Sequence, residues 1–252
     1  MRFEHPAPSR IPQLRMLWKE AFGDSDDFLD RFFQYGFASE RCRCMVEADA
    51  VVSVLYWFEG SCGGRRVAYL YAVATAASHR GRGLFTALLE DVRQLLTREG
   101  FHGILLVPET EGLCRMYQKL GFSPCTTVDC HKVSPAGKPA ALQEISCETY
   151  MQLRRGFLPE GAFDPGREML SFLACLYRFY RGEGWLAAGQ IHEGALYCQE
   201  FLGDGRAMGG LVRALGASAG EFRTPGRERA LAWFLPLRER CDGPAYFAFA
   251  MD

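Results

Sequence analysis

Residues 73–89 read Val73-Ala74-Thr75-Ala76-Ala77-Ser78-His79-Arg80-Gly81-Arg82-Gly83-Leu84-Phe85-Thr86-Ala87-Leu88-Leu89: an apolar strand, a glycine-containing turn and the first turns of a helix. At a helix start several backbone N–H groups have no partner in the preceding turn, and the helix dipole adds positive potential there. Such a site suits a diphosphate. Gly81 and Gly83 leave room for phosphate oxygens to reach the backbone, and Arg80 and Arg82 add cationic donors. Each charge-assisted bond contributes about 1.5–3 kcal/mol, so three or four supply much of the roughly 8 kcal/mol that micromolar binding requires. A solvated helix start with no ligand is the plain alternative.

The pattern on either side extends the unit. Arg66–Thr75 reads as a long strand, and the apolar face Leu84, Leu88, Val92, Leu95 and Leu96 makes 83–98 a helix, ended at Gly100. The apolar run 103–107 suits a buried strand beside a crossover helix. A further helix over 111–120 closes at Gly121. Upstream, 2–4 reads as a short strand and 12–36 as two helices, the first opened by Pro12 and the second capped within Asp24-Ser25-Asp26. Strands at 42–46 and 51–58 follow, with a turn at 60–64.

Two other glycine-loop chemistries do not fit. A dinucleotide fold wants a third glycine, where Thr86 stands, and a P-loop needs Gly-Lys-Ser/Thr. The segment instead resembles the cofactor loop of the GNAT superfamily of N-acetyltransferases, Arg/Gln-x-x-Gly-x-Gly/Ala. Arg80 through Leu84 follow it, and Phe85 stands where Gly or Ala is usual. Further on, Tyr117-Gln118-Lys119-Leu120-Gly121-Phe122 resembles the family's Tyr-x-Lys-x-Gly-Phe ending. The likeness covers residues 11–122 by motif and the rest by pattern alone.

The resemblance implies an α/β chain with a GNAT fold: a mixed central sheet with helices on both faces, then a second, smaller GNAT-like α/β half. It implies acetyl-CoA as co-substrate, held by Val73, Ala74, Thr75, Arg80, Gly81, Arg82, Gly83, Leu84, Phe85 and Thr86. Main-chain groups of residues 73–75 would bond the pantetheine arm where the fourth and fifth strands splay. The Val73 N–H would polarise the thioester carbonyl, and Tyr117 would protonate the departing thiolate. Ordinary packing is the alternative role for Tyr117. The base remains open among Glu109, Glu111, Tyr69 and Tyr71, for each of which surface charge or core packing is the ordinary role. His79 and His102 lack triad partners, and no histidine pair has metal-ligand spacing.

Beyond residue 135 the order repeats: helices at 149–157 and 166–180, a hairpin of 185–192 with 195–202, a helix at 207–215, an extended piece at 221–223 and an apolar strand at 246–251. With a connector at 134–137, this divides the chain into 1–132, an acetyl-CoA-binding GNAT domain, and 133–252, a degenerate GNAT-like domain helping to form the acceptor cleft. Its equivalent turn, Gly203-Asp204-Gly205-Arg206, lacks the Arg-Gly-x-Gly arrangement, and Asp204 would repel a phosphate, so no CoA is expected there.

The bulk properties agree with an ordinary globular chain. Its 252 residues carry a net charge of −1, giving no long-range attraction for nucleic acid or an anionic membrane. No apolar run approaches a membrane span, and no apolar stretch follows Met1-Arg2 as in a secretory signal. The ten cysteines are then reduced thiols in a cytoplasmic protein, and alternation in Arg41-Cys42-Arg43-Cys44 suits a strand more than a metal site. The expected activity is transfer of an acetyl group to a primary amine of a small molecule or peptide by direct attack. The competing reading is a non-catalytic acyl-CoA sensor or interaction module.

Overall fold

A computed structural model describes residues 1–239 and 241–251. In chain order the first elements are β1 (Arg2–Glu4), α1 (Ile11–Phe22), α2 (Asp26–Arg31), β2 (Cys42–Glu47), β3 (Ala50–Cys62), β4 (Arg65–Thr75), α3 (Leu84–Arg98), β5 (Gly103–Leu106), α4 (Glu111–Lys119), β6 (Ser123–Pro124) and β7 (Thr127–Val133). There follow β8 (Gln143–Ile145), α5 (Cys147–Arg154), β9 (Asp164–Pro165), α6 (Arg167–Leu176), β10 (Arg178–Gly182), β11 (Trp185–His192), β12 (Ala195–Gly203), α7 (Met208–Ala214), β13 (Ala219–Pro225), β14 (Arg229–Ala230) and β15 (Trp233–Pro236). They form two compact units that trade segments: Met1–Ser123, Asp164–Phe172 and Trp233–Gly243 make the first, and the remainder the second.

Local chemistry sets the helices of unit 1. Gly23 ends α1 at φ 76°, a left-handed conformation, and the Ser25 hydroxyl accepts from the Phe28 N–H to start α2. The second expected helix reaches residue 36, but not as α-helix throughout. Phe32–Gly36 widens into one π turn, closed by the Phe37 N–H on the Phe32 carbonyl at 2.8 Å. Gly36 lies against aromatic rings there; a Cβ would stand 3.1 Å from both Phe32 and Phe172. β3 extends to Cys62, so the turn expected at 60–64 shrinks to Gly63 and Gly64, both with positive φ.

The sheet of unit 1 runs β1-β2-β3-β4-β5-β15-β6, with β9 on β3. Among its recorded pairings only β4 with β5 is parallel. One face packs on α3 and α4 through Leu55, Trp57, Leu70, Leu88, Val92, Ile104 and Tyr117. The other carries an aromatic cluster in which Trp18 lies 4.6 Å from Phe32 and 5.1 Å from Tyr56. Helices on both faces of a mixed sheet are the expected class.

Unit 2 holds a second sheet, β14-β7-β13-β12-β11-β10-β8. The helix expected over 166–180 stops at Leu176, and 178–182 is strand β10, paired with both β8 and β11. The turn at Glu183-Gly184 lets Phe179 and Tyr180 alternate against the hairpin, and that pairing outweighs helical spacing. The closing strand expected at 246–251 is absent among the described residues. The segment is buried but its main chain bonds piecemeal, Phe163 N–H to Tyr246 O at 2.9 Å and Arg223 Nη1 to Ala248 O at 2.8 Å. Two strands that local patterning does not announce, β7 and β15, complete the sheets beside β13 and β5.

Read from β1 and from β8, the two sheets have the same order. Three antiparallel pairings come first, then one parallel pairing, β4·β5 or β12·β13, then an antiparallel neighbour. The likeness reaches a detail: one strand of each third pairing carries a bulge. Tyr56 and Trp57 pair with Ala72 and Leu70, leaving Tyr71 extra on β4. Ala188 and Gly189 pair with Glu200 and Cys198, leaving Gln199 extra on β12. In each case the bulge is the residue after the parallel ladder ends, at Leu70 and at Cys198.

Candidate active site

The site in unit 1 starts from that bulge. β5 pairs with β4 only from Val67 to Leu70, so the last five of the eleven residues of β4 have no strand neighbour on that edge among the described residues. An extra residue bends and twists its strand, which turns β4 away from β5 at this point. The Ala76 N–H donates to the Val52 carbonyl of β3 at 3.0 Å. Antiparallel ladders alternate, so Ala74 also addresses β3, while the main-chain groups of Val73 and Thr75 address the open edge. Ala74 is thus turned away from the opening, and its carbonyl also accepts from Ser53 Oγ at 3.2 Å.

Beyond Thr75 the chain makes the turn. Gly81 and Gly83 both stand at φ 75°, and a Cβ at either would meet nothing within 4 Å. Backbone conformation, more than crowding, therefore calls for glycine here. Gly83 caps α3 in the left-handed conformation with no side-chain cap, and the first amide bonded back is Ala87 N–H to Gly83 O at 3.1 Å. Among the described residues nothing accepts from the N–H groups of residues 81–86. Six consecutive donors at a helix start form an anion cradle.

The two arginines are tethered around it. Arg80 Nε donates to the Thr75 carbonyl at 3.1 Å, and Arg82 Nη2 lies 3.5 Å from Glu47 Oε1. Glu47, at the end of β2, also meets His79 Nε2 at 3.1 Å; that bond and the charge of Arg82 hold its carboxyl below the usual range. The Glu20 carboxylate accepts the Ala77 N–H at 2.7 Å. Neither Glu47 nor Glu20 is signalled by the loop motif, because both reach the turn from distant elements.

Val73, Leu84, Phe85 and Tyr117 share one apolar cluster. The Phe85 ring meets Tyr117 edge-on at 5.9 Å, and Phe122 flanks it at 5.5 Å. Thus Phe85 occupies the flank of the tyrosine expected to act. Burial pushes the Tyr117 phenol up to about 12, and its hydroxyl has no hydrogen-bond partner among the described residues. Thr86 is exposed. Of the candidate bases, Glu109 and Glu111 are exposed, the latter near Arg115 at 3.5 Å, and Tyr69 and Tyr71 lie 6.4 Å apart. No group of three His, Cys, Asp or Glu among the described residues is placed to hold a metal.

Known proteins share the domain pattern and the fold. Residues 3–125 match the family model "Acetyltransferase (GNAT) domain". Among solved structures, the GCN5-related N-acetyltransferase from Anabaena variabilis superposes with a TM-score of 0.70 at 15% identity, over 94% of this chain and 73% of its own. The one from Kribbella flavida gives 0.66 at 16% identity, over 93% and 69%. Eis1 from Mycobacterium abscessus gives 0.69 at 11% identity, over 94% and 74%. No curated protein matches the sequence significantly. Residues 3–125 are thus similar to the GNAT acetyltransferase domain, a class that transfers acyl groups from acyl-CoA, and the chain shares the fold of these solved structures. No helix among the described residues is long and apolar enough to cross a membrane.

Proposed function

We propose that this chain transfers an acetyl group from acetyl-CoA to a primary amine of a small molecule or peptide by direct attack. The observation that carries the reading is the row of six N–H groups at residues 81–86 that have no acceptor among the described residues, placed where β4 leaves β5. These donors, with Arg80 and Arg82, fit a diphosphate. The main chain of Val73 and Thr75 offers a pantetheine arm an added-strand edge, and the side chains of Leu84 and Phe85 anchor the start of α3. The thioester supplies an activated acyl carbon. As an amine attacks it, charge grows on the carbonyl oxygen, and a fixed donor such as the Val73 N–H stabilises that charge more than the ground state.

The resemblance casts Tyr117 as the acid, and its burial refines the role. With a pKa of about 12, giving its proton wholly to a thiolate of ordinary pKa, about 8.5, is uphill by roughly 5 kcal/mol. Tyr117 is better suited to donate a hydrogen bond to the departing sulfur. The proton lost by the amine then neutralises the thiolate, giving amide and thiol. The second unit is a degenerate GNAT-like half that does not bind CoA, a reading supported by its repeated strand order and matching bulge. A cytoplasmic location belongs to this reading, since the ten cysteines suit it as thiols.

The test is CoA release from acetyl-CoA with polyamines, aminoglycosides and peptides, comparing wild type with Tyr117→Phe. A hydrogen bond to a charged group contributes about 1.5–3 kcal/mol, so kcat should fall roughly ten- to a hundredfold with CoA affinity unchanged. Binding without turnover on any amine would replace the proposal with the acyl-CoA sensor.

A further inference from the structure

The turn at 77–83 brings its own anions. Glu20, in the last turn of α1, accepts the Ala77 N–H at 2.7 Å. Glu47, at the end of β2, divides its two oxygens: Oε2 lies 3.1 Å from His79 Nε2, and Oε1 lies 3.5 Å from Arg82 Nη2. His79 is held from its other side as well, with Nδ1 2.8 Å from Ser78 Oγ. The His79 bond and the Arg82 charge keep the Glu47 carboxyl below its usual range, so it is a carboxylate at neutral pH. The second arginine, Arg80, is engaged by the Thr75 carbonyl at 3.1 Å. Two arginines thus share the turn with two carboxylates, and the amides of residues 81–86 are what favours an anion there.

Glu47 stands in conflict with that anion. Arg82 lies between the two glycines, and a diphosphate held by the surrounding amides draws its guanidinium inward. The Glu47 carboxylate cannot follow, because Oε2 is anchored on His79, two residues before Gly81 and at most about 7 Å from it along the chain. Filling the site therefore separates Glu47 from its cation and leaves it beside a ligand of the same sign. A half-exposed ion pair of this kind changes an equilibrium constant by about two- to fivefold, and repulsion within a Debye length of about 8–10 Å adds a similar factor. A strut that merely shaped the turn would act with the opposite sign: its removal would weaken binding.

We propose that Glu47 is a built-in competitor of the diphosphate, holding Arg82 while the site is empty and repelling the ligand once it is filled, so that CoA leaves readily. The inference rests on reading the cradle as a CoA site. Free CoA carries the same diphosphate as acetyl-CoA, so the amides grip product as firmly as co-substrate, and product release sets the turnover of many enzymes. A fixed opposing charge lowers that hold without removing a donor.

The test is calorimetry with CoA on Glu47→Gln, which keeps an oxygen for His79 and loses the charge. CoA should bind about three- to tenfold more tightly than to wild type at about 0.05 M salt, and stopped-flow release should slow by a similar factor. The gain should shrink at about 0.5 M salt. Glu47→Asp, which keeps the charge, should show no gain, and pantetheine, which lacks the diphosphate, should bind Glu47→Gln as it binds wild type. Unchanged or weaker CoA binding by a folded Glu47→Gln protein, or an equal gain for pantetheine, would overturn the proposal while wild-type CoA binding stands. No CoA uptake by the wild type would instead overturn the cradle reading, and this inference with it.

Discussion

Replacing Gly81 or Gly83 with alanine tests the cradle at its cause. Both residues stand at φ 75°, where an L side chain costs about 1–2 kcal/mol, and neither new methyl would touch anything within 4 Å. The whole penalty is therefore conformational, and it must surface in one of two readouts. If the turn keeps its shape, the free protein loses 1–2 kcal/mol of stability and CoA affinity holds. If the turn relaxes, stability is spared, the N–H groups scatter, and binding must restore the shape. Residues 81–83 are exposed, and no acceptor among the described residues holds their N–H groups, so relaxation should win. Isothermal calorimetry should then show CoA bound about 5- to 30-fold more weakly by each variant. Asparagine, which tolerates this conformation, should lose less than alanine, and pantetheine, which has no diphosphate, should bind each variant as it binds wild type. An affinity for CoA and a melting temperature both unmoved by Gly83→Ala would refute the reasoning. So would a loss shared equally by pantetheine.

Four further outcomes follow from the packing. Because burial raises Tyr117 to about 12, the phenol stays protonated across the working range, and no alkaline loss of kcat below about pH 11 should vanish in Tyr117→Phe. The same shift favours the folded state while the group is neutral. Stability on the order of 3 kcal/mol, complete below pH 10, should drain away as pH rises to 12, measurable as a steeper alkaline melting curve in wild type than in the phenylalanine variant. In unit 2, Arg154 bonds Glu200 at 2.7 and 2.9 Å, Tyr150 donates to the same carboxylate at 2.8 Å, and all three are buried; Arg154→Met should cost about 3–5 kcal/mol in denaturant titration, with Arg154→Met/Glu200→Met less damaging than the single change. Gly103→Ala would drive a methyl into the Phe234 ring across the β5–β15 ladder, and should lower stability by about 1–3 kcal/mol in the same assay.

The stretch from 42 to 122 is legible in the sequence because its information is local. Leu84, Leu88, Val92 and Leu96 repeat at helical spacing, Thr110 and Gly121 bracket α4, and Gly81 and Gly83 mark the turn. What escapes reading depends on distant partners. β15 is a strand because it lies against β5, 130 positions earlier, and Phe179 and Tyr180 leave the expected helix because the next hairpin captures them. Residues 246–251 show the converse: an apolar run announces burial, and burial alone does not specify a ladder. At the site, the motif indicates which residues approach a diphosphate but not that Ala74 points the other way, since that orientation is set by pairing with β3. Glu47 is silent for the same reason.

The placement of β15 bears on how the chain matures as it leaves the ribosome. The matched family region ends at residue 125, yet the strand that flanks β5 is not made until residue 236. At ordinary translation speeds of about 5–20 residues per second, the nascent sheet would wait on the order of ten seconds with the Leu105 edge bare. A fragment cut after residue 125 should meet that hazard permanently, aggregating through the uncovered edge even though every residue of the glycine turn at 80–86 is present.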